Sequence, residues 1–315
     1  MDVTRRHTLD GVRSVLLDRP GAVPARSPDE AVAGHYGDPL REQRSLLSGG
    51  GVVDRSQRGV VRVGGPDRLS WLHSLTSQHL TGLLKDVWTD ALVLSPHGHV
   101  EHHLRLVDDG ETTWMHVEPG TAPALVGYLE SMQFMLRVDV ADVTASYAVL
   151  TDVPADGIEH AVDRIVERES LAAEVGDQFL AGHDAWEALR VAAGMPRLGF
   201  ETDHRTIPHE VGWLETAVHL DKGCYRGQET VARVHNLGRP PRRLVLVHLD
   251  GTEDELPPPH TPVTVDAKQV GFLGTAVQHA ELGPIALAVI KRQTADDAHL
   301  VVDGMAAAAE RLVDA

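Results

Sequence analysis

Beyond Pro240-Pro241 the chain becomes a succession of short apolar runs, at 244–249, 263–265, 270–277 and 285–290, separated by turn-forming residues. Runs of this length, rich in Val and Ile and bounded by Pro, Gly and Asp, are strands. Several in series with short connections bury their apolar faces best as a small antiparallel barrel. The alanine-rich stretch 305–312 that follows reads equally as a helix or as a last strand.

Upstream the periods are mixed. Gly49-Gly50-Gly51 opens the globular part, and the valines at 52–53 and 60–63 predict strands. Pro66 stands where a helix begins, and Leu69, Trp71, Leu72 and Leu75 give it an apolar face. The run 91–95, the turn Pro96-His97-Gly98, the run 100–107 and the hairpin connection Asp108-Asp109-Gly110 into 112–117 predict three antiparallel strands. Leu125, Leu129 and Met132 mark a helix. Leu136, Val138 and Val140, then Ala145, Tyr147 and Val149, alternate as strands do. Ile158, Val162, Ile165 and Val166 have helical spacing and predict an amphipathic helix. Asp184-Ala185-Trp186-Glu187 has capping-box spacing, and Gly194 with Pro196 ends that helix. Segment 197–226 has no period, and a loop that long in a compact domain is functional or disordered. The first forty residues carry linker chemistry, such as Asp18-Arg19-Pro20-Gly21, and read as an N-terminal extension.

With 29 basic against 46 acidic side chains the net charge is −17, which excludes a general binder of nucleic acid or anionic membrane. One cysteine in 315 residues excludes an intrachain disulfide framework and a four-cysteine metal cage. No run approaches the ~18 apolar residues of a membrane span, and the start has no signal-peptide core, so the expected location is the cytoplasm. The acidic run Glu253-Asp254-Glu255 reads as a solvated face.

Chemistry concentrates in Asp221-Lys222-Gly223-Cys224-Tyr225-Arg226-Gly227-Gln228-Glu229. The sole cysteine lies between two glycines and two cations, and a helix from Gln228 to about Val234 follows. Both cations and a helix N-terminus favour the thiolate, so Cys224 reads as a reactive thiol; a small buried packing residue is the other reading. The histidines at 97, 99, 102 and 103 invite a metal hypothesis. A continuous strand would align His97, His99, Glu101 and His103 on one face, but Pro96 and Gly98 break it, and with nineteen histidines in the chain a local cluster is unremarkable, so no metal site is expected.

Lys222-Gly223-Cys224-Tyr225-x-Gly227-Gln228-Glu229 resembles the signature of the folate-binding YgfZ family, relatives of the glycine-cleavage T-protein (aminomethyltransferase). Trp186-Glu187-Ala188-Leu189-Arg190-x-x-x-Gly194-x-Pro196 and Ile207-Pro208-x-Glu210 agree with it, and the resemblance runs from about His35 onward. It implies an α+β fold of three domains in a ring: a discontinuous folate-binding domain (41–85 and 146–238), an inserted α+β domain (86–145) and the C-terminal antiparallel β-barrel (239–315). It implies tetrahydrofolate or a derivative as cofactor. Glu210 would hydrogen-bond the pterin, Arg239 would serve the folate, Gly223, Tyr225, Gly227 and Gln228 would line the site, and Cys224 and Lys222 would be the catalytic candidates. The T-protein Asp-Asp pair is replaced here by His102-His103, which counts against classical aminomethyl transfer. The YgfZ branch instead implies an accessory role for iron–sulfur enzymes or their assembly proteins, indirectly supporting tRNA modification without binding nucleic acid. The alternative is a folate-dependent one-carbon transferase.

Overall fold

A computed structural model describes residues 12–251 and 255–312, so the acidic run at 253–254 lies outside the described residues. The chain divides into two compact units. One holds the chain up to Leu72 with Leu80–Thr89 and Leu104–Trp186, and the other holds His73–His79, Asp90–His103 and the chain from Glu187 onward.

In the first unit a four-stranded sheet is ordered Val162–Glu167, Tyr147–Val153, Gly51–Asp54, Leu180–Ala181. Its apolar face, Val52, Ala148 and Leu150, packs on Leu171, Val175 and Leu16. Leu16 comes from the stretch that reads as linker, and Val32 and Ala33 of the same stretch are also buried. Local composition there hides a segment fixed by tertiary contacts. Strand Gly59–Gly64 pairs with Thr112–Val117 on one side and Asp139–Asp142 on the other, and Thr112–Val117 also pairs with the end of Val100–Asp108. Helix Ala122–Ser131 starts with proline in its first turn and buries Leu125 and Leu129, as the spacing predicts.

The helix expected over Ile158–Val166 is a strand, Val162–Glu167, antiparallel to Tyr147–Val153. Its pattern is inverted: Val162 is half exposed while Asp163 points inward and is buried. Asp163 accepts from Thr151 Oγ1 at 2.6 Å, lies 3.3 Å from Arg55 Nη1 and 3.0 Å from His116 Nε2. Arg58 Nε donates to His116 Nδ1 at 2.6 Å, so the ring is the neutral Nε2–H tautomer, and burial pushes its pKa down to about 4.

In the second unit the barrel is closed. Its strands run in the order Arg242–Leu249, Gly283–Lys291, Lys268–His279, Pro262–Val265, Leu300–Val302 and Met305–Arg311, and the last pairs back onto the first. The alanine-rich stretch is therefore the closing strand; alanine's helical propensity yields to the unpaired edge it covers. Val245, Val247, Val263, Leu273, Ile290 and Val302 fill the interior.

The arginine of the Trp186–Pro196 motif is an internal tie. Arg190 is buried, and donates to both carboxylate oxygens of Glu187 at 2.8 and 2.6 Å and to the Met195 carbonyl at 2.9 Å. Glu187 is thus engaged by Arg190, and by Arg197 at 3.1 Å, rather than by a helix N-terminus as its capping-box spacing suggests. Gly194, at φ +70°, ends the helix as expected. Glu201, fully buried, accepts from the backbone of Arg197 and Thr275 at 2.7 and 2.6 Å. Gly274 makes room for it, since a Cβ there would stand 2.4 Å from Glu201 Oε1.

Candidate functional site

The signature segment lies in the second unit and splits into an inward and an outward set. Lys222 is buried, and its ammonium donates to the carbonyls of His73, Thr76 (2.5 Å) and Gln78 (3.0 Å). His73 belongs to the last turn of helix Arg68–Leu75, so Lys222 caps a helix C-terminus, where free carbonyls and the dipole favour a cation. All three ammonium protons are committed, while burial lowers the Lys222 pKa to about 8. Tyr225 packs in the core with Trp213, Val231 and Val277, under the Lys222 ammonium at 5.1 Å, and burial lifts its hydroxyl to about 12. Gly227, at φ +83°, is the N-cap of helix Gln228–Leu237, and Gln228 Oε1 accepts from the Tyr225 amide at 3.4 Å.

Gly223 and Cys224 form the outward set. Both are exposed, and a Cβ on Gly223 would meet nothing within 4 Å. The two cations flanking the thiol each have partners of their own. Lys222 is turned inward, and Arg226 is paired with Glu101 at 2.9 Å. The helix begins at Gln228, four residues beyond the cysteine.

Glu210 is 2% exposed and sits in the turn Pro208–Glu210. Its carboxylate accepts from the Ile207 amide at 3.1 Å and from Arg242 Nε and Nη2 at 2.8 and 2.7 Å. Arg242 also donates to Asp203 at 2.7 and 3.1 Å and to Thr206 at 3.2 Å. The guanidinium thus joins two carboxylates, and against the upward push of burial its hydrogen bonds and charge hold Asp203 well below the ordinary carboxylate range. Sequence reasoning singled out Arg239, which is exposed; it missed Arg242, three residues on, whose partners lie more than thirty residues upstream. Between Pro208 and Glu210, His209 has both ring nitrogens buried without a partner, and burial pushes it down to about 4.

His103 stacks on Trp213 at 4.6 Å and bonds Asp90 at 3.2 Å, whereas His102 Nδ1 is buried without a partner. His97 and His99 lie on the turn that faces Gly227. Among the described residues no three His, Cys, Asp or Glu side chains are disposed to hold a metal ion, and no helix is long and apolar enough to cross a membrane.

Residues 242–312 match the family described as CAF17, C-terminal beta-barrel domain. The fold is that of the glycine cleavage system aminomethyltransferase T from Bartonella henselae, with a TM-score of 0.79 at 15% identity over 94% of this chain and 95% of that one. The class is therefore that of T-protein-like α+β proteins with a CAF17-type barrel.

Within it, the sequence is similar to proteins named for iron–sulfur cluster assembly, transferase activity and tRNA modification. It is 26% identical over 267 residues, 73% of its length and 64% of the other, to the iron–sulfur cluster assembly factor IBA57 homolog of Mycosarcoma maydis. A chloroplastic protein of Arabidopsis thaliana named as a transferase is 25% identical over 298 residues, 80% of this chain and 68% of that protein. A 50-residue segment, 16% of each chain, is 42% identical to the tRNA-modifying protein YgfZ of Buchnera aphidicola.

Proposed function

We propose that this protein binds tetrahydrofolate or a derivative and acts as an accessory factor in the assembly or repair of iron–sulfur enzymes, indirectly supporting tRNA modification. The observation that carries the reading is the division of the signature segment. Lys222 and Tyr225 are buried against a helix end and the core, and Gly227 abuts a turn, so that Gly223 and the Cys224 thiol are held outward. That arrangement suits a thiol that meets another protein. The relatives named for iron–sulfur cluster assembly and for tRNA modification support the same direction.

The Ile207–Glu210 loop fits a folate. Neutral His209 offers one donor and one acceptor that nothing in the described protein satisfies, and a pterin edge carries both kinds of group. When bound, a reduced folate supplies a carrier for one-carbon units. This chain's contribution is to fix the loop through Arg242 and Glu210, to offer the His209 ring, and to place Arg239 for the folate carboxylates. The resemblance matches the T-protein Asp-Asp pair with His102-His103, and of these His103 is stacked on Trp213 and bonded to Asp90, which disfavours aminomethyl transfer.

Titration of the purified chain with tetrahydrofolate tests the binding half, with saturable heat expected and its absence rejecting it. Activity of aconitase-type and radical iron–sulfur enzymes in a deletion strain tests the other half. Turnover of a one-carbon folate by the pure protein would transfer the assignment to the transferase reading.

A further inference from the structure

Three buried polar atoms at one end of the barrel have no hydrogen-bond partner: Nε of Arg243, Nη1 of Arg292 and Oγ1 of Thr294. The backbone brings their residues together. Arg243 pairs across the strands with Ile290, and its Nη2 donates to the Thr294 carbonyl at 2.9 Å. The Arg292 amide donates to Pro241 and the Thr294 amide to Lys291, each at 3.0 Å. Buried donors in native proteins are almost always satisfied, and two orphaned guanidinium N–H groups beside an orphaned hydroxyl form a donor set for an acceptor not contained in the chain.

A groove of about 700 Å³ is lined by Arg239, Pro240, Pro241, Lys291, Arg292 and Gln293, so that Arg292 borders it directly while Arg243 and Thr294 stand outside its lining. Among the described residues, Arg239, Lys291 and Arg292 have no carboxylate partner. Asp296 is the carboxylate bound nearby, and it is spent on Arg243 Nη2 at 2.7 Å and Arg311 at 2.8 Å. In a chain of net charge −17 this is a local cationic surplus with unsatisfied donors behind it.

We propose that this end of the barrel binds a small oxyanion, the phosphate or carboxylate group of a soluble ligand. Arg292 donates to its oxygens, and Arg239 and Lys291 supply the surrounding positive field. Guanidinium suits this task because its planar N–H groups match the spacing of oxyanion oxygens. Arg239 is shared with the folate reading whereas Arg292 is not, so the Arg292 variants test this site without touching the folate loop.

The test is calorimetric titration of the full chain with inorganic phosphate and, separately, with glutarate, at an ionic strength held constant with chloride. Saturable binding of either probe is expected, with a Kd on the order of 1 mM or tighter, and the probe that binds identifies the acceptor group. Arg292→Met should weaken binding about tenfold or more. Should Arg292→Met fail to fold, Arg292→Lys keeps the charge but loses the planar fork, and should also weaken binding. No saturable heat with either probe up to about 10 mM would mean that water satisfies these donors and would overturn the site. Unchanged affinity in a folded Arg292 variant would do the same.

Discussion

Gly227 and Gly98 lie back to back. A Cβ on Gly227 would stand 2.9 Å from Gly98 Cα and 2.6 Å from the Ser95 carbonyl oxygen, and a Cβ on Gly98 would stand 2.8 Å from Thr230 Cβ. Both glycines have positive φ. The second glycine of the signature therefore admits the Pro96-His97-Gly98 turn. Gly223, by contrast, faces open space.

The two glycines of the signature should behave differently. Gly227→Ala adds a backbone clash to a left-handed φ and should cost about 2–4 kcal/mol. Gly223→Ala should stay within about 0.5 kcal/mol of the parent. Urea denaturation of the two variants checks this, and equal midpoints would remove the packing argument.

Lys222→Met should destabilise by about 2–4 kcal/mol, because it strips the donor from three carbonyls at a helix end while keeping most of the side-chain volume. A variant as stable as the parent but without function would instead favour a chemical role for the ammonium.

Glu210 engages Arg242, so its influence on a ligand passes through the loop. Glu210→Gln should weaken tetrahydrofolate binding about tenfold to a hundredfold. Asp203→Asn, which removes the other carboxylate on the same guanidinium, should weaken it in the same direction. If Asp203→Asn leaves affinity untouched while Glu210→Gln does not, Glu210 contacts the ligand itself.

Acid should destabilise the protein through His116. Its folded pKa, about 4, lies below the ordinary 6.5, so between those values the unfolded chain binds the proton and the folded chain does not. The stabilisation is complete above about pH 6.5 and is lost as pH falls toward 4, an effect on the order of 3 kcal/mol. In His116→Gln the pH dependence of the urea midpoint over that window should flatten.

Cys224→Ser should leave folding and folate affinity near the parent, since the side chain is exposed, and should abolish support of iron–sulfur enzymes in a deletion strain. Full complementation by the serine variant would remove the thiol from the proposal.

What was legible in the sequence follows from how far apart the determinants lie. Strands 244–249 and 285–290 and the helix that Gly194 ends were readable because their apolar spacing and stop signals are local. Val162–Glu167 was not, because its inward position is occupied by Asp163, whose partners Arg55 and His116 are distant in sequence, and its outward one by Val162. The signature segment marked the site, but the direction in which each residue points depended on groups far along the chain. Nothing near Lys222 announces that it reaches back to His73, and nothing near Arg242 points to Asp203 and Glu210.

The pairing of Arg242–Leu249 with Met305–Arg311 makes the barrel's opening strand depend on its closing one. During synthesis the first strand leaves the ribosome with that flank bare and stays so until the alanine-rich strand arrives. A nascent chain stalled before Met305 would carry two open strand edges, ready to pair with other chains. Chaperone demand and aggregation during expression should therefore track the integrity of this final strand more closely than that of the folate loop.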